Sequence, residues 1–470
     1  MADSQLQDHL DPDEQPIYDR LSAIREELLH LKADRNKYVK SADVQDYFQR
    51  ILAEVDSLNK IREPKRHEQN RVDYMLDDCF QLVSLFFLTI GRISEAPAIY
   101  SAISTVKRLL DHLKEADFYS PKDLESISNR IDQWQTSVDN GRERSGETLT
   151  TLLDARIDVC RKLLAGLKER LSRLDPGTAD TYEKLVSILR SLSACNTRSK
   201  FPADEVEGFV EQLRQIRKEL DVGTDTHVGM SAEQAYADRL AYRRGSVPNS
   251  TTDGPAVVRS LLRRCLLWAE IVQEKQGKID ERFKDTYQGL VKIRNNLEQM
   301  SLTQAWSLRE TDLYSFQRQL DRIDESRVNG NFLDANGRPA DLHAQRTLLY
   351  LLRKSYAYIY QYLITSEPVS EALLPIYNQL LTLKRCLEEV HRSGGVDDAR
   401  DLYPYSMKLM SIDNMKKDGK FMVGNDIPEG QASVCNLLAD CFDLTMDMRR
   451  EAQEREEDED KVQKDVEIAA

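Results

Sequence analysis

The sequence predicts an all-α fold built from five degenerate three-helix units, forming an elongated helical array or adjoining bundles. Three observations predict it. First, an apolar phrase with spacings of four, three, four and three occurs five times. The copies are Ile17–Leu21–Ile24–Leu28–Leu31, Ile99–Ile103–Val106–Leu110–Leu113, Thr181–Leu185–Ile188–Leu192–Cys195, Thr286–Leu290–Ile293–Leu297–Met300 and Ile376–Leu380–Leu383–Leu387–Val390. Such spacing draws one narrow apolar stripe along a helix. Second, a tyrosine directly follows the first position of every copy: Tyr18, Tyr100, Tyr182, Tyr287 and Tyr377. These markers stand 82, 82, 105 and 90 residues apart, too long for the common short solenoid repeats and right for three ordinary helices. Third, only 19 glycines and 14 prolines occur in 470 residues, which favours long helices over turn-rich sheet.

Within each unit the phrase marks the first helix. Pro16, Pro97 and Pro375 precede three of the copies, where proline presets the backbone angle without losing a helical hydrogen bond. The second helix repeats a three-four-three pattern, as in Leu124–Ile127–Ile131–Trp134, Val206–Phe209–Leu213–Ile216, Leu313–Phe316–Leu320–Ile323 and Leu402–Tyr405–Leu409–Ile412. The first unit gives a weaker match, Val44–Tyr47–Ile51 with Val55. An acidic residue precedes each (Asp43, Asp123, Glu205, Asp312, Asp401) and suits the positive end of the helix dipole. Ser120-Pro121-Lys122-Asp123 reads as a helix cap. The third helix starts at Met75-Leu76, Leu152-Leu153, Leu261-Leu262, Leu348-Leu349 and Leu437-Leu438, and is the most apolar. The expected boundaries are a disordered N-terminus over 1–14, units over 15–97, 98–179, 180–284, 285–374 and 375–450, and a charged tail over 451–470. The third unit carries a polar insertion over 222–255. Between the second and third helices of the last two units, Gly330 and Phe332 match Gly419 and Phe421 in spacing. The glycine suits a turn and the phenylalanine a plug; a ligand-binding loop is the sharper alternative.

The net charge of −14 disfavours bulk binding to nucleic acid or anionic membrane. The basic run Lys60, Arg62, Lys65, Arg66 and Arg71 is the exception and reads as solvated. Seven cysteines without a Cys-x-x-Cys pair look like small core residues in a reducing compartment, and seven scattered histidines offer no metal-ligand spacing. No metal or cofactor is expected. The longest apolar stretch, Cys79 to Ile90, is too short to span a bilayer, and no signal core opens the chain. No phosphate loop, dinucleotide fingerprint or nucleophile elbow is present, so no catalytic residue is assigned. The adjacent pairs Asp77-Asp78 and Asp397-Asp398 read as solvated charges, and the marker tyrosines as packing residues with the hydroxyl on a backbone carbonyl.

One motif carries regulatory chemistry. Arg243-Arg244-Gly245-Ser246-Val247-Pro248 lies inside the polar insertion. Two arginines ahead of Ser246 with Val247 after it resemble a substrate of basophilic kinases, whose acidic grooves pair both guanidinium groups. Arg243, Arg244 and Pro248 around a phosphorylated Ser246 also resemble a 14-3-3 recognition site.

The segments Lys417–Phe421 and Ile427–Gln431, then Leu437–Phe442, together with Pro375-Ile-Tyr-Asn-Gln-Leu380, resemble a fungal family of uncharacterised all-helical proteins defined by a domain of unknown function. The resemblance covers most of the chain. It implies a cytoplasmic protein, with the nucleus as a second compartment, and carries over no activity and no catalytic residue. The sequence therefore points to a non-enzymatic scaffold or adaptor that binds protein partners, tuned by phosphorylation at Ser246. The alternative is an enzyme or small-ligand binder with a pocket near the paired glycine–phenylalanine loops. Neither partner identity nor oligomeric state follows from the sequence.

Overall fold

The computed structural model describes residues 10–63, 69–172, 174–220, 254–303 and 309–469. Among them lie fifteen α-helices, three short 3-10 turns and no β-strand, so the fold is all-α. The helices are α1 Gln15–Ala33, α2 Ser41–Arg62, α3 Arg71–Thr89, α4 Ala96–Ala116, α5 Pro121–Ser145, α6 Glu147–Leu171, α7 Pro176–Cys195 and α8 Ala203–Glu219. They continue as α9 Gly254–Lys275, α10 Lys284–Thr303, α11 Leu313–Glu325, α12 Leu342–Ile364, α13 Leu374–Arg392, α14 Tyr403–Asp413 and α15 Gln431–Ala469. The charged tail continues α15 to Ala469, and the polar insertion gives way to helix at Gly254.

The chain divides into two compact units. The first comprises Met1–Ser101, Thr303–Asp312 and Thr365–Ala470; the second comprises Ala102–Leu302 and Leu313–Ile364. In the first unit α1, α2 and α3 pack pairwise into one three-helix cluster, and α13, α14 and α15 into another. In the second, α7, α8 and α9 form a third such cluster, α5 packs on α6, and α11 on α12.

The stripes bury as their spacing demands. Ile17, Leu21, Ile24 and Leu28 are buried on α1, and all five phrase residues are buried on α4. Residues Cys79 to Ile90 of α3 and its end are buried all round, the plain outcome for a helix without a polar face. Local signals set the ends. Ser120 and Asp123 exchange backbone hydrogen bonds in a capping box at α5 (2.9 and 3.2 Å), and Asn70 with Asp73 does the same at α3.

Four buried cysteines make one recurring contact. The Sγ of Cys79, Cys265 and Cys441 each lies 3.6 Å from the carbonyl oxygen of Leu21, Leu185 and Leu380, and that of Cys160 lies 4.0 Å from Ile103 O. Each acceptor is the second apolar residue of a phrase copy. Burial pushes the thiols up, Cys79 and Cys265 to about 12 and Cys160 and Cys441 to about 11, so they remain protonated donors.

Some expectations need correction. On α2 the buried set is Val44, Phe48, Ile51 and Leu58; Tyr47 and Val55 sit half-out, because the stripe drifts with the 3.6-residue turn. Glu14 is not loose: it is 4% exposed and takes Arg62 at 2.7 and 2.9 Å. Arg62 also holds Asp73, so the basic run is not wholly solvated. Asp78 is buried against Arg25, on the inward side of α3, while Asp77 accepts the Tyr100 hydroxyl at 2.6 Å. The marker tyrosines meet charged groups more than carbonyls. Tyr377 donates to Glu367 at 3.1 Å, and Tyr18 accepts from Arg71 at 3.2 Å.

Candidate functional site

The motif Arg243, Arg244, Ser246, Val247 and Pro248 lies outside the described residues. The paired loops lie inside them, one in each unit, and both are two-residue hairpin turns. Asn329 and Gly330 have φ of 49° and 76°; Asp418 and Gly419 have the same values. Positive φ at both central residues defines the turn that Asn-Gly and Asp-Gly sequences favour. The phenylalanine two residues on is then carried inward. Phe332 is 4% exposed and Phe421 1%.

A glutamine at each following helix start pins the plug. Gln345 accepts from Phe332 N and donates to Phe332 O, both at 3.0 Å. Gln431 does the same for Phe421, at 2.9 and 2.7 Å. A cation covers each ring: Arg327 at 5.1 Å from the Phe332 centroid and Lys416 at 5.5 Å from that of Phe421. The glutamines carry the one signal that could have strengthened the sequence reading, since each stands at a helix start shortly after its phenylalanine.

Each hairpin borders a partly buried polar cluster. In the second unit, Arg327 of the hairpin stem reaches Asp324 at 2.8 Å. Asp324 accepts from His112 Nε2 at 3.0 Å, and Arg108 spans Asp324 and Glu325 at 3.2 and 2.7 Å. Tyr356 donates to Asp321 at 2.6 Å. Burial pushes Asp321 up to about 6, with Arg108 and Tyr356 opposing. Against burial, His112, Arg108 and Arg327 hold Asp324 down at about 2. Asp321 and Asp324, three residues apart, thus have acidities driven apart by their surroundings. Both carboxylates are spent on protein partners, so the cluster acts as a polar clasp of α4, α11 and α12.

In the first unit the second hairpin leads to Asp426, which takes the Tyr38 hydroxyl, and Glu429, which takes Arg92 at 2.7 and 3.1 Å. Tyr38, Ser41, Ser370, Asp426 and Glu429 line a cleft of about 70 Å³, room for water rather than for a substrate. Behind it Arg309, 5% exposed, forks onto Glu371 at 2.5 and 3.0 Å and donates to Asp34 O at 3.0 Å and Lys37 O at 3.2 Å. Next to it Glu310 has an inaccessible, unpartnered Oε2, and burial pushes its carboxyl up to about 7.

A different kind of surface lies on α14. Leu402, Leu409 and Ile412 are buried, yet Tyr403, Met407 and Met410 on the other side are 61%, 49% and 56% exposed. Met415, Ile427 and Met446 extend the exposed apolar set. The sequence reading missed this face, although its spacing of four and three is visible once the inward set is removed. Among the described residues no group of three His, Cys, Asp or Glu side chains could hold a metal ion, and no helix is long and apolar enough to cross a membrane.

A family model described as a protein of unknown function, DUF2408, matches residues 171–310. A CUB1 family protein of Schizosaccharomyces pombe is 35% identical over 456 residues, covering 95% of each chain. The chain belongs to the CUB1 family. A second relative, the Cu(2+) suppressing and bleomycin sensitive protein 1 of Saccharomyces cerevisiae, is 35% identical over 505 aligned positions, covering 94% of this chain and 91% of that protein. Both relatives are fungal, and no solved structure matches this CUB1 family chain.

Proposed function

We propose that this CUB1 family protein is a non-enzymatic helical adaptor whose main docking face is the exposed methionine stripe of α14. The observation that carries the reading is a helix apolar on both sides. Leu402, Leu409 and Ile412 satisfy its own bundle, while Tyr403, Met407 and Met410 face outward. A surface helix ordinarily gives its outer side to polar residues. Methionine adapts its shape to varied apolar partners. The occupant that fits is an apolar-striped helix of a partner protein, laid along α14. The pairwise-packed helix clusters and the recurring thiol contacts support a chain of five repeated three-helix units, an architecture suited to presenting such surfaces.

Regulation belongs to the polar insertion. A basophilic kinase modifying Ser246 would create a 14-3-3-type ligand with Arg243 and Pro248 in place, in the cytoplasm or nucleus. The name of the budding-yeast relative describes effects involving Cu(2+) and bleomycin, not a molecular activity. For this chain we read a part in those responses as exerted through bound partners.

The test is affinity purification of the wild type, Ser246→Ala and a Met407→Glu/Met410→Glu double variant, with each retained protein purified and its binding remeasured. A stoichiometric partner that binds the purified wild type and is lost from the double variant, with melting unchanged, supports the adaptor. Equal binding by both chains removes the α14 face from the reading. If no stoichiometric partner is retained by the wild type or Ser246→Ala, the adaptor itself is abandoned.

A further inference from the structure

The outward stripe of α14 carries opposite charge at its two ends. Tyr403, Met407 and Met410 are spaced by four and three, so they share one side of the helix, and all are exposed. On the way into the helix, Asp397, Asp398 and Asp401 outweigh Arg400 by two charges. Beyond Met407, Lys408, Lys416, Lys417 and Lys420 outweigh Asp413 and Asp418 by two. The stripe therefore reads acidic, apolar, basic along the chain, with equal and opposite ends.

Local structure holds both ends in place. Asp398 caps the 3-10 turn Ala399–Leu402 by accepting from Arg400 N at 2.8 Å, and that turn leads straight into α14. Lys417 and Lys420 flank the Asp418–Gly419 turn and exchange backbone hydrogen bonds at 2.8 and 3.0 Å. Asp397, Asp401, Lys417 and Lys420 are exposed, and among the described residues none of the four side chains has a hydrogen-bond or ion-pair partner. Four charges of two signs thus bracket an apolar surface and stay uncommitted within the chain.

We propose that this face pairs with the same face of a second copy, the two α14 helices lying antiparallel about a two-fold axis near Met407. A two-fold interface is self-complementary: residue i meets j, and j meets i. Antiparallel alignment sets Asp397 and Asp401 of each copy toward Lys417 and Lys420 of the other, with Met407 near the axis. Parallel alignment would set like charges together. Antiparallel helix dipoles favour the same arrangement. The inference rests on the reading of α14 as a docking face and names its occupant; a partner helix on that face must displace the copy. The eleven residues of α14 span about 16 Å, so the pair belongs to the small, transient class of interfaces.

The test is sedimentation equilibrium of the full chain from about 1 to 200 μM. Wild type should pass from monomer to dimer with a Kd on the order of 10–100 μM, weakening severalfold as salt rises from about 0.05 to 0.5 M. Met407→Glu/Met410→Glu should remain a monomer. Asp397→Lys/Asp401→Lys and Lys417→Glu/Lys420→Glu should each pair about tenfold more weakly, because like charges then face each other at both ends. An equimolar mixture of these two charge variants should recover the wild-type Kd, since each altered end then meets its opposite. If the aspartate variant does not fold, Lys417→Glu/Lys420→Glu decides against Lys417→Arg/Lys420→Arg, which should pair as wild type does. A wild type that stays monomeric, charge variants that pair as wild type does, a mixture no tighter than either variant alone, or assembly past two copies overturns the inference. A monomeric wild type whose purified partner is lost with Met407→Glu/Met410→Glu overturns self-pairing and leaves the adaptor standing. Dimers restored by mixing, in a chain that retains no other protein, support self-pairing and remove the adaptor.

Discussion

Glu310 and Arg309 sit side by side in the first unit and illustrate opposite treatments of buried charge. Arg309 is fully engaged by Glu371 and by the carbonyls of Asp34 and Lys37. Arg309→Met would leave Glu371 unpaired and those carbonyls unmet, at a cost of about 3–5 kcal/mol. A urea midpoint in the variant equivalent to less than about 1 kcal/mol of loss would contradict this. Glu310 has no cationic partner among the described residues; burial raises its pKa to about 7, with Glu371 and Asp312 adding and Thr89 opposing. The folded-state value lies above the unfolded one, about 4.5, so the folded chain binds its proton more tightly. The stabilisation is therefore full below about pH 4.5 and lost as pH climbs through about 7. Glu310→Gln should match wild type near pH 5 and exceed it by about 1–3 kcal/mol near pH 8. Equal pH profiles for the two chains would show the carboxyl to be solvated. Neither role was legible in the sequence, where both residues stand in a polar stretch just before α11.

At the scale of elements, glycine discriminates between a turn and a close approach. Gly419 has φ of 76° with open space where a Cβ would stand, so Gly419→Ala should lose only the cost of a left-handed residue, about 1 kcal/mol. Gly91 has φ of 81°, and a Cβ there would stand 2.7 Å from Ser370 N and from the Val369 carbonyl carbon. Gly91→Ala must therefore move backbone and should cost well over twice as much, as thermal melts of the pair would reveal. The hairpins were readable because Asn-Gly and Asp-Gly are local signals, and the phenylalanine plugs because their spacing repeats. The glutamine clamps and the Gly91 contact were not, since each depends on a segment brought near only by folding. The second face of α14 was hidden for another reason: the inward stripe accounted for the periodicity, and the remaining apolar residues went unassigned. Those methionines contribute little to folding, so Met407→Glu/Met410→Glu should shift stability by no more than about 1 kcal/mol.

For the molecule as a whole, the acidic balance of −14 sets which contacts are favoured, and arginine-flanked Ser246 is a local exception to it. Ser246→Ala should abolish phosphate incorporation by a basophilic kinase acting on the full chain; unchanged incorporation would move the modification elsewhere. The repeated phrase, the sparse glycine and proline, and the capping residues by themselves determined the all-α class and most of the inward-facing stripe. These follow from helix period and backbone chemistry, which are local. Tertiary structure alone decided that the helices gather into two compact units and that Asp78, Glu14 and Glu310 are withdrawn from solvent. Among the described residues, it alone left Arg353 Nη1 without a hydrogen-bond partner and Met407 and Met410 exposed. Burial and pairing are set by residues distant in sequence, and no local period encodes them.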